Sequence, residues 1–195
     1  MWSLGIPVLP LRDPGAFHGA CIREAGRNVI VLKQQTGSAA RWLFDVLHEL
    51  RHAGEDLEQE QREIIEPGIT SKERRESEEE KLASRFAGDV VLDGRAEELA
   101  GMCVQAAGKA VERLKLAVPQ VAKRENVAVD ALANYMAFRL SLQNINWWGT
   151  ATKLQDVAKE PWQFARDTLL RHINFGSLNE IDRNLLQQAI SDIEE

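Results

Sequence analysis

Residues 48–52 read His-Glu-Leu-Arg-His, two of the chain's four histidines one helical turn apart with a glutamate beside the first. On a helix of 3.6 residues per turn, positions i and i+4 share a face, so both imidazoles reach one ion. Neutral imidazole suits Zn²⁺, and two histidines leave room for a third ligand and a water. Glu49 projects from the neighbouring position, where its carboxylate can take a proton from water at the metal rather than bind the metal itself. Zinc lowers the pKa of such a water to about 7, so the pattern points to hydrolytic attack on a carbonyl at neutral pH. The competing reading is a solvated helix face that happens to carry two histidines. It sits poorly with the apolar run "WLFDVL" that leads into the motif.

The third ligand must come from elsewhere. His18 and His172 are the only other histidines, and neither Cys21 nor Cys103 lies near the motif in sequence. Carboxylates crowd the segment 71–91, at Glu73, Glu76, Glu78, Glu79 and Glu80. Ala83, Ala87 and Val90 recur as an inward stripe, with Leu82 and Phe86 packing around it, and Glu80 continues the stripe three residues before Ala83. Glu76 lies one turn earlier on the same side, whereas Glu78 and Glu79 point more toward solvent. The small side chains of Ala83, Ser84 and Ala87 would let this helix come close to the one bearing His48 and His52. Glu80 is therefore the expected ligand and Glu76 the reserve. A hydrolase of this kind also needs a group to stabilise an oxyanion. The candidates are Tyr135, the only tyrosine, with His172 and His18.

"LHELRHA", followed some thirty residues later by "EKLASRFAGDVVL", resembles the ImmA/IrrE-type metallopeptidases. In these, HExxH is followed by a helix of pattern E-x-x-A-[ND]-x-F-A, whose leading glutamate is the third zinc ligand. The resemblance places that glutamate on Glu80 and matches Ala83, Phe86 and Ala87. "LGIPV" and "GRNVIVL" resemble the family's N-terminal sheet, and "LANYMAFRLSLQNINWWGTATKLQ" is similar to the C-terminal part of longer members. Two positions depart from the pattern. Ser84 stands where Asn or Asp is usual, so the contact that orients a histidine ligand is weaker or differently made. Arg51 stands where Gly or Ala is often found.

The resemblance implies a zinc-dependent endopeptidase whose substrate is a specific regulator, a helix-turn-helix repressor or an antitoxin. An extended segment of that substrate would bind by strand addition along the exposed edge of the sheet. The alternative, from a different class, is a non-catalytic zinc-containing regulator or sensor that binds a repressor without cutting it. Longer members often carry a helix-turn-helix domain in front. None precedes Met1, which implies a separate chain for that domain or a longer parent for this one.

The elements that must position these residues give an α+β, predominantly helical fold. A small N-terminal antiparallel sheet packs on the HExxH helix, and a helical region follows; residues 1–93 form the metallopeptidase core and 94–195 pack on it. "GIPVLPL" reads as an edge strand and "GACIREAGRNVIVLKQ" as a hairpin about Glu24–Arg27. Ser38 is the N-cap of a helix ending at Gly54, with Leu43, Leu47 and Leu50 as its buried stripe. The charged stretch 55–70 reads as a connection with at most one short helix. Thr70 and Glu73 form a capping box for a helix running to Val91. Further helices are expected over 95–117, 127–143, 150–158, 161–173 and 179–193, punctuated by Pro119, Trp147–Gly149, Pro161 and Gly176. The segment about Asn126 has a helix-turn-helix rhythm. Its second helix opens on Val127, Ala128, Val129 and Asp130, which favours plain packing over base reading.

With 24 basic and 30 acidic residues, the net charge of −6 lacks the positive field that supplies non-specific nucleic-acid affinity, so no direct nucleic-acid binding is expected. Prolines interrupt the N-terminus, and no apolar run approaches the ~18 residues of a membrane span. The expectation is a cytoplasmic protein with both thiols reduced and packed. By this phase, Glu80→Gln lowers bound zinc far more than Glu76→Gln, which elemental analysis of the purified variants would read directly.

Overall fold

The computed structural model describes residues 1–11, 17–34, 36–67, 77–156 and 160–191, with the backbone alone at 17–18 and 65–67. Strands β1 (Val8–Pro10), β2 (Phe17–Glu24), β3 (Arg27–Leu32) and β4 (Arg62–Pro67) form one sheet in the order β1-β3-β2-β4. The β2–β3 hairpin turns at Ala25 and Gly26, whose φ values of 47° and 71° are the pair a two-residue turn needs to match strand twist. The sheet is mixed rather than antiparallel. β1 pairs in parallel with β3, while β2 is antiparallel to both β3 and β4. The chain passes from β1 to β2, one place beyond its neighbour, and the hairpin brings β3 back to fill the gap.

β4 arises from the charged stretch read above as a connection. Ile64 is buried and Glu63 exposed, the alternation of a strand with one covered face. Its charged residues suit a strand at the edge of a sheet. The opposite edge is covered. Helix α7 (Pro161–His172) packs on β1, and Trp162 joins Val8, Ile30, Leu32 and Trp42 in a small apolar cluster.

Helix α1 (Ala39–Ala53) crosses the sheet. Ser38 caps it, its Oγ accepting from Arg41 N at 3.1 Å, and Gly54 ends it in a right-handed conformation (φ −86°). The buried apolar residues are Trp42, Phe44, Leu47 and Ala53. Leu43 is half exposed and lines an apolar groove of about 690 Å³ with Met1, Trp2 and Phe164. The stripe is shifted because α1 packs on the sheet and on helices to either side, so more than one face is covered.

Helix α2 (Glu78–Val91) starts at Ser77, whose Oγ accepts from Glu80 N at 3.3 Å. The expected Thr70–Glu73 capping box lies outside the described residues. Ala83, Ser84, Ala87 and Gly88 are the buried side of α2 toward its neighbours, whereas Leu82 and Val90, expected inside, are 45% and 50% exposed. Leu92, at the C-cap, is buried instead.

The remaining helices are α3 (Ala96–Ala106), α4 (Leu114–Glu125), α5 (Val129–Ser141), α6 (Trp148–Thr152), α7, and α8 (Glu180–Ala189). The expected helix 95–117 is split where Gly108 and Lys109 take φ of 60° and 62°, and Pro119 is carried inside α4. Every residue of α5 from Ala131 to Phe138 is buried, as befits a helix at the centre of a core. That core is continuous from Phe44, Leu47 and Ala87 through α3–α6. Partly buried polar contacts tie it to α1: Gln155 accepts from Ser38 Oγ at 2.6 Å and from Asn134 Nδ2 at 3.3 Å. Cys21 and Cys103 are buried free thiols, both pushed up to about 11 by burial. Among the described residues no helix is long and apolar enough to cross a membrane.

Gly88 sets the approach of α2 to α5, because a Cβ there would overlap the Tyr135 ring. Gly88→Ala should cost about 3 kcal/mol of stability through overpacking, measured by urea denaturation.

Candidate metal centre

α1 and α2 bring three ligand-bearing side chains to one point. His48 Nε2 lies 3.1 Å from His52 Nε2 and 3.2 Å from Glu80 Oε2, and His52 Nε2 lies 3.8 Å from Glu80 Oε1. A small tetrahedral cation with bonds of about 2.0–2.1 Å holds its ligand atoms roughly 3.3–3.4 Å apart, so the spacing fits such an ion. The donor set fits as well. His48, His52 and Glu80 are 6%, 1% and 8% exposed, and two imidazole nitrogens turned toward each other beside a buried carboxylate favour a cation between them.

The orientation of each ring follows from its second nitrogen. His48 Nδ1 is 3.1 Å from Ser84 Oγ. With the proton on Nδ1 the ring donates to that hydroxyl and leaves the Nε2 lone pair facing Glu80 and His52. Ser84 thus makes the contact for which Asn or Asp was the expected residue. His52 Nδ1 instead faces Glu55 and Glu79.

Glu49, next to His48 around the helix, turns toward the sheet and is 1% exposed. Its carboxylate lies against Gly19 of β2. A methyl group at Gly19 would come within 3.1 Å of Glu49 Cδ and closer still to Oε1. The neighbourhood is felt by Cys21, whose thiol is raised by burial first and by the Glu49 charge second. Behind the motif, the buried Arg23 guanidinium donates to the carbonyls of Ala53 (2.7 Å), Glu55 (2.9 Å) and Asp56 (2.6 Å). It thereby fixes the chain where it leaves α1 and satisfies carbonyls that a helix end leaves open.

Tyr135 and His172 are engaged elsewhere. Tyr135 donates its hydroxyl to Glu97 Oε1 at 2.6 Å, and burial followed by that carboxylate raises its phenol well above the usual range. His172 stacks on Trp2 with ring centroids 4.5 Å apart, its Nδ1 2.8 Å from Thr168 O. Glu76 and the side chain of His18 lie outside the described residues. The sequence did not point to Gly19, Glu55 or Arg62; Glu79 is exposed as expected, yet its carboxylate also reaches His52 and Arg62. Glu55 carried no helical signal, since it lies beyond the Gly54 cap of α1. No protein-family model, curated protein or solved structure matches the chain.

Gly19→Ala should leave bound metal at the wild-type level while displacing the Glu49 carboxylate. Misplacement on that scale costs about a hundredfold in rate, and metal analysis alongside a hydrolysis assay would separate the two effects.

Proposed function

We propose that the chain is a zinc-dependent endopeptidase of the ImmA/IrrE type, acting on a specific helix-turn-helix repressor or antitoxin. The observation that carries this reading is the convergence of His48, His52 and Glu80 with Glu49 on the neighbouring position of the same helix. A zinc ion at that point would supply a Lewis acid that acidifies water and polarises a peptide carbonyl. Glu49 would act as general base, removing a proton from the attacking water and later delivering it to the departing amine. Gly19 keeps room for that carboxylate, and Ser84 holds the His48 ring in place.

The sheet favours one binding edge. β1 is covered by α7, whereas β4 has no strand on its outer side among the described residues. Arg62, the first residue of β4, reaches Glu79 at 2.8 Å, one residue from the ligand Glu80, so this edge runs beside the metal centre. An extended substrate segment would pair with β4 and carry its scissile bond toward Glu49.

Glu49→Gln is expected to keep its zinc and lose about a thousandfold in cleavage of a candidate helix-turn-helix repressor, followed by mass spectrometry of that partner. Cleavage at the wild-type rate would sink the mechanism. A partner bound tightly by the wild-type protein yet never shortened would favour a non-catalytic regulator.

A further inference from the structure

Neither the HExxH pattern nor the Glu80 ligand accounts for the groups on the far side of His52. Its Nδ1 lies 3.5 Å from Glu55 Oε2 and 3.4 Å from Glu79 Oε1. Arg62 Nη2 bridges the same two carboxylates, at 3.1 Å and 2.8 Å, and Arg51 Nη1 meets the other oxygen of Glu55 at 2.9 Å. His52, Glu55 and Glu79 have the spacing of a second cation site. The guanidinium of Arg62 already binds both carboxylates, so the positive charge this cluster calls for is supplied by the chain itself.

We propose that Glu55 and Glu79, clamped by Arg62 and Arg51, are positioning residues that hold His52 as its Nδ1–H tautomer and present Nε2 to the metal. The inference rests on reading His48, His52 and Glu80 as the metal centre. A neutral imidazole has one donor and one acceptor, and only the acceptor nitrogen binds a cation. Nδ1 faces two carboxylate oxygens and no donor among these contacts, so the proton belongs on Nδ1. At 3.5 Å and 3.4 Å neither oxygen closes a hydrogen bond with Nδ1; the two carboxylates act on the ring by placing negative charge beside that nitrogen, which favours the N–H there.

Both carboxylates are held. Arg23 binds the backbone carbonyl of Glu55, and Glu79 is tied to the start of β4 through Arg62. Arg51, the residue that breaks the family pattern, has a role here as the second clamp on Glu55. Side-chain exposure of 14% for Glu55 and 15% for Arg62 limits screening of that pair, whereas Glu79, at 44%, meets solvent and contributes less.

The test uses the full chain. Zinc affinity is measured by chelator competition, and the His52 tautomer in metal-free protein by long-range ¹H–¹⁵N NMR. The Glu55→Ala, Glu79→Ala double variant should lose between about tenfold and a hundredfold in zinc affinity, the range for partners that orient a ligand, and should populate the Nε2–H tautomer. Glu78→Ala, which removes an equal charge one residue away, should match wild type in both. If the double variant fails to fold, Glu79→Ala alone carries the same comparison, with a loss of about tenfold expected. An unchanged tautomer with affinity within twofold of wild type would overturn the proposal. A wild-type protein that binds no zinc, yet loses its Nδ1–H tautomer in the double variant, would sink the metal reading and support the positioning role.

Discussion

Two imidazoles and a carboxylate from separate helices meet at one point only if those helices nearly touch, and the close approach of α1 and α2 governs much else in this molecule. Small residues on the buried side of α2 make it possible: Ala83, Ser84, Ala87 and Gly88. A larger residue at Ala83 or Ala87, both fully buried, would push the helices apart and open the spacing of the ligand atoms. The same surface also seats α2 on the rest of the core, since Gly88 admits the Tyr135 ring of α5. Packing and ligand geometry are therefore one problem. The buried α5 is a backstop for the site although it contributes no ligand.

The sheet sets the opposite boundary. α1 lies on β2 and β3 with Glu49 turned toward Gly19, so the carboxylate that would do chemistry sits where strand meets helix. Arg23 of β2 then grips the carbonyls at the end of α1, which prevents the last turn, with His52, from fraying as helix ends tend to do. From that point the chain runs to β4, and Arg62 reaches back to Glu55 and Glu79. Strand, helix end and ligand form a closed circuit, and this lets a six-residue edge strand (Arg62–Pro67) hold its place beside the site.

The parts of this arrangement legible in sequence are those with a local period. The i, i+4 spacing put His48 and His52 on one face, and the phase from Ala83 pointed to Glu80, which the structure brings to both histidines. Ser38, the Ala25–Gly26 turn and the mostly helical composition also had local signatures. Features that depend on partners distant in sequence were not legible. The parallel pairing of β1 is a property of two strands, so neither strand's propensity carries it. β4 looked like a charged loop because an edge strand needs only alternate apolar residues. Leu43 and Val90 fit a single-stripe helix, but α1 and α2 are each contacted from more than one direction, which rotates the buried arc. Tyr135 looked available because a sequence cannot show that Glu97 already accepts its hydroxyl.

The burial of Glu49 and Glu80 has a consequence for how folding and metal binding are linked. Two carboxylates at 1% and 8% exposure lose most of their hydration, which charged or hydrogen-bonding neighbours must return. Packed apolar side chains at these positions would serve stability better, so the arrangement makes sense where it serves a bound cation. An ion taken up between the histidines and Glu80 would return to Glu80 the electrostatic stabilisation it gave up on leaving water, and binding free energy would then add to folding free energy. Glu49 is different, because its place against Gly19 keeps it beside the centre rather than within it. On the proposed reading, Glu80 would hold a charge and Glu49 would move a proton. Glu80 meets the imidazoles of α1, and Glu49 lies against Gly19 of β2.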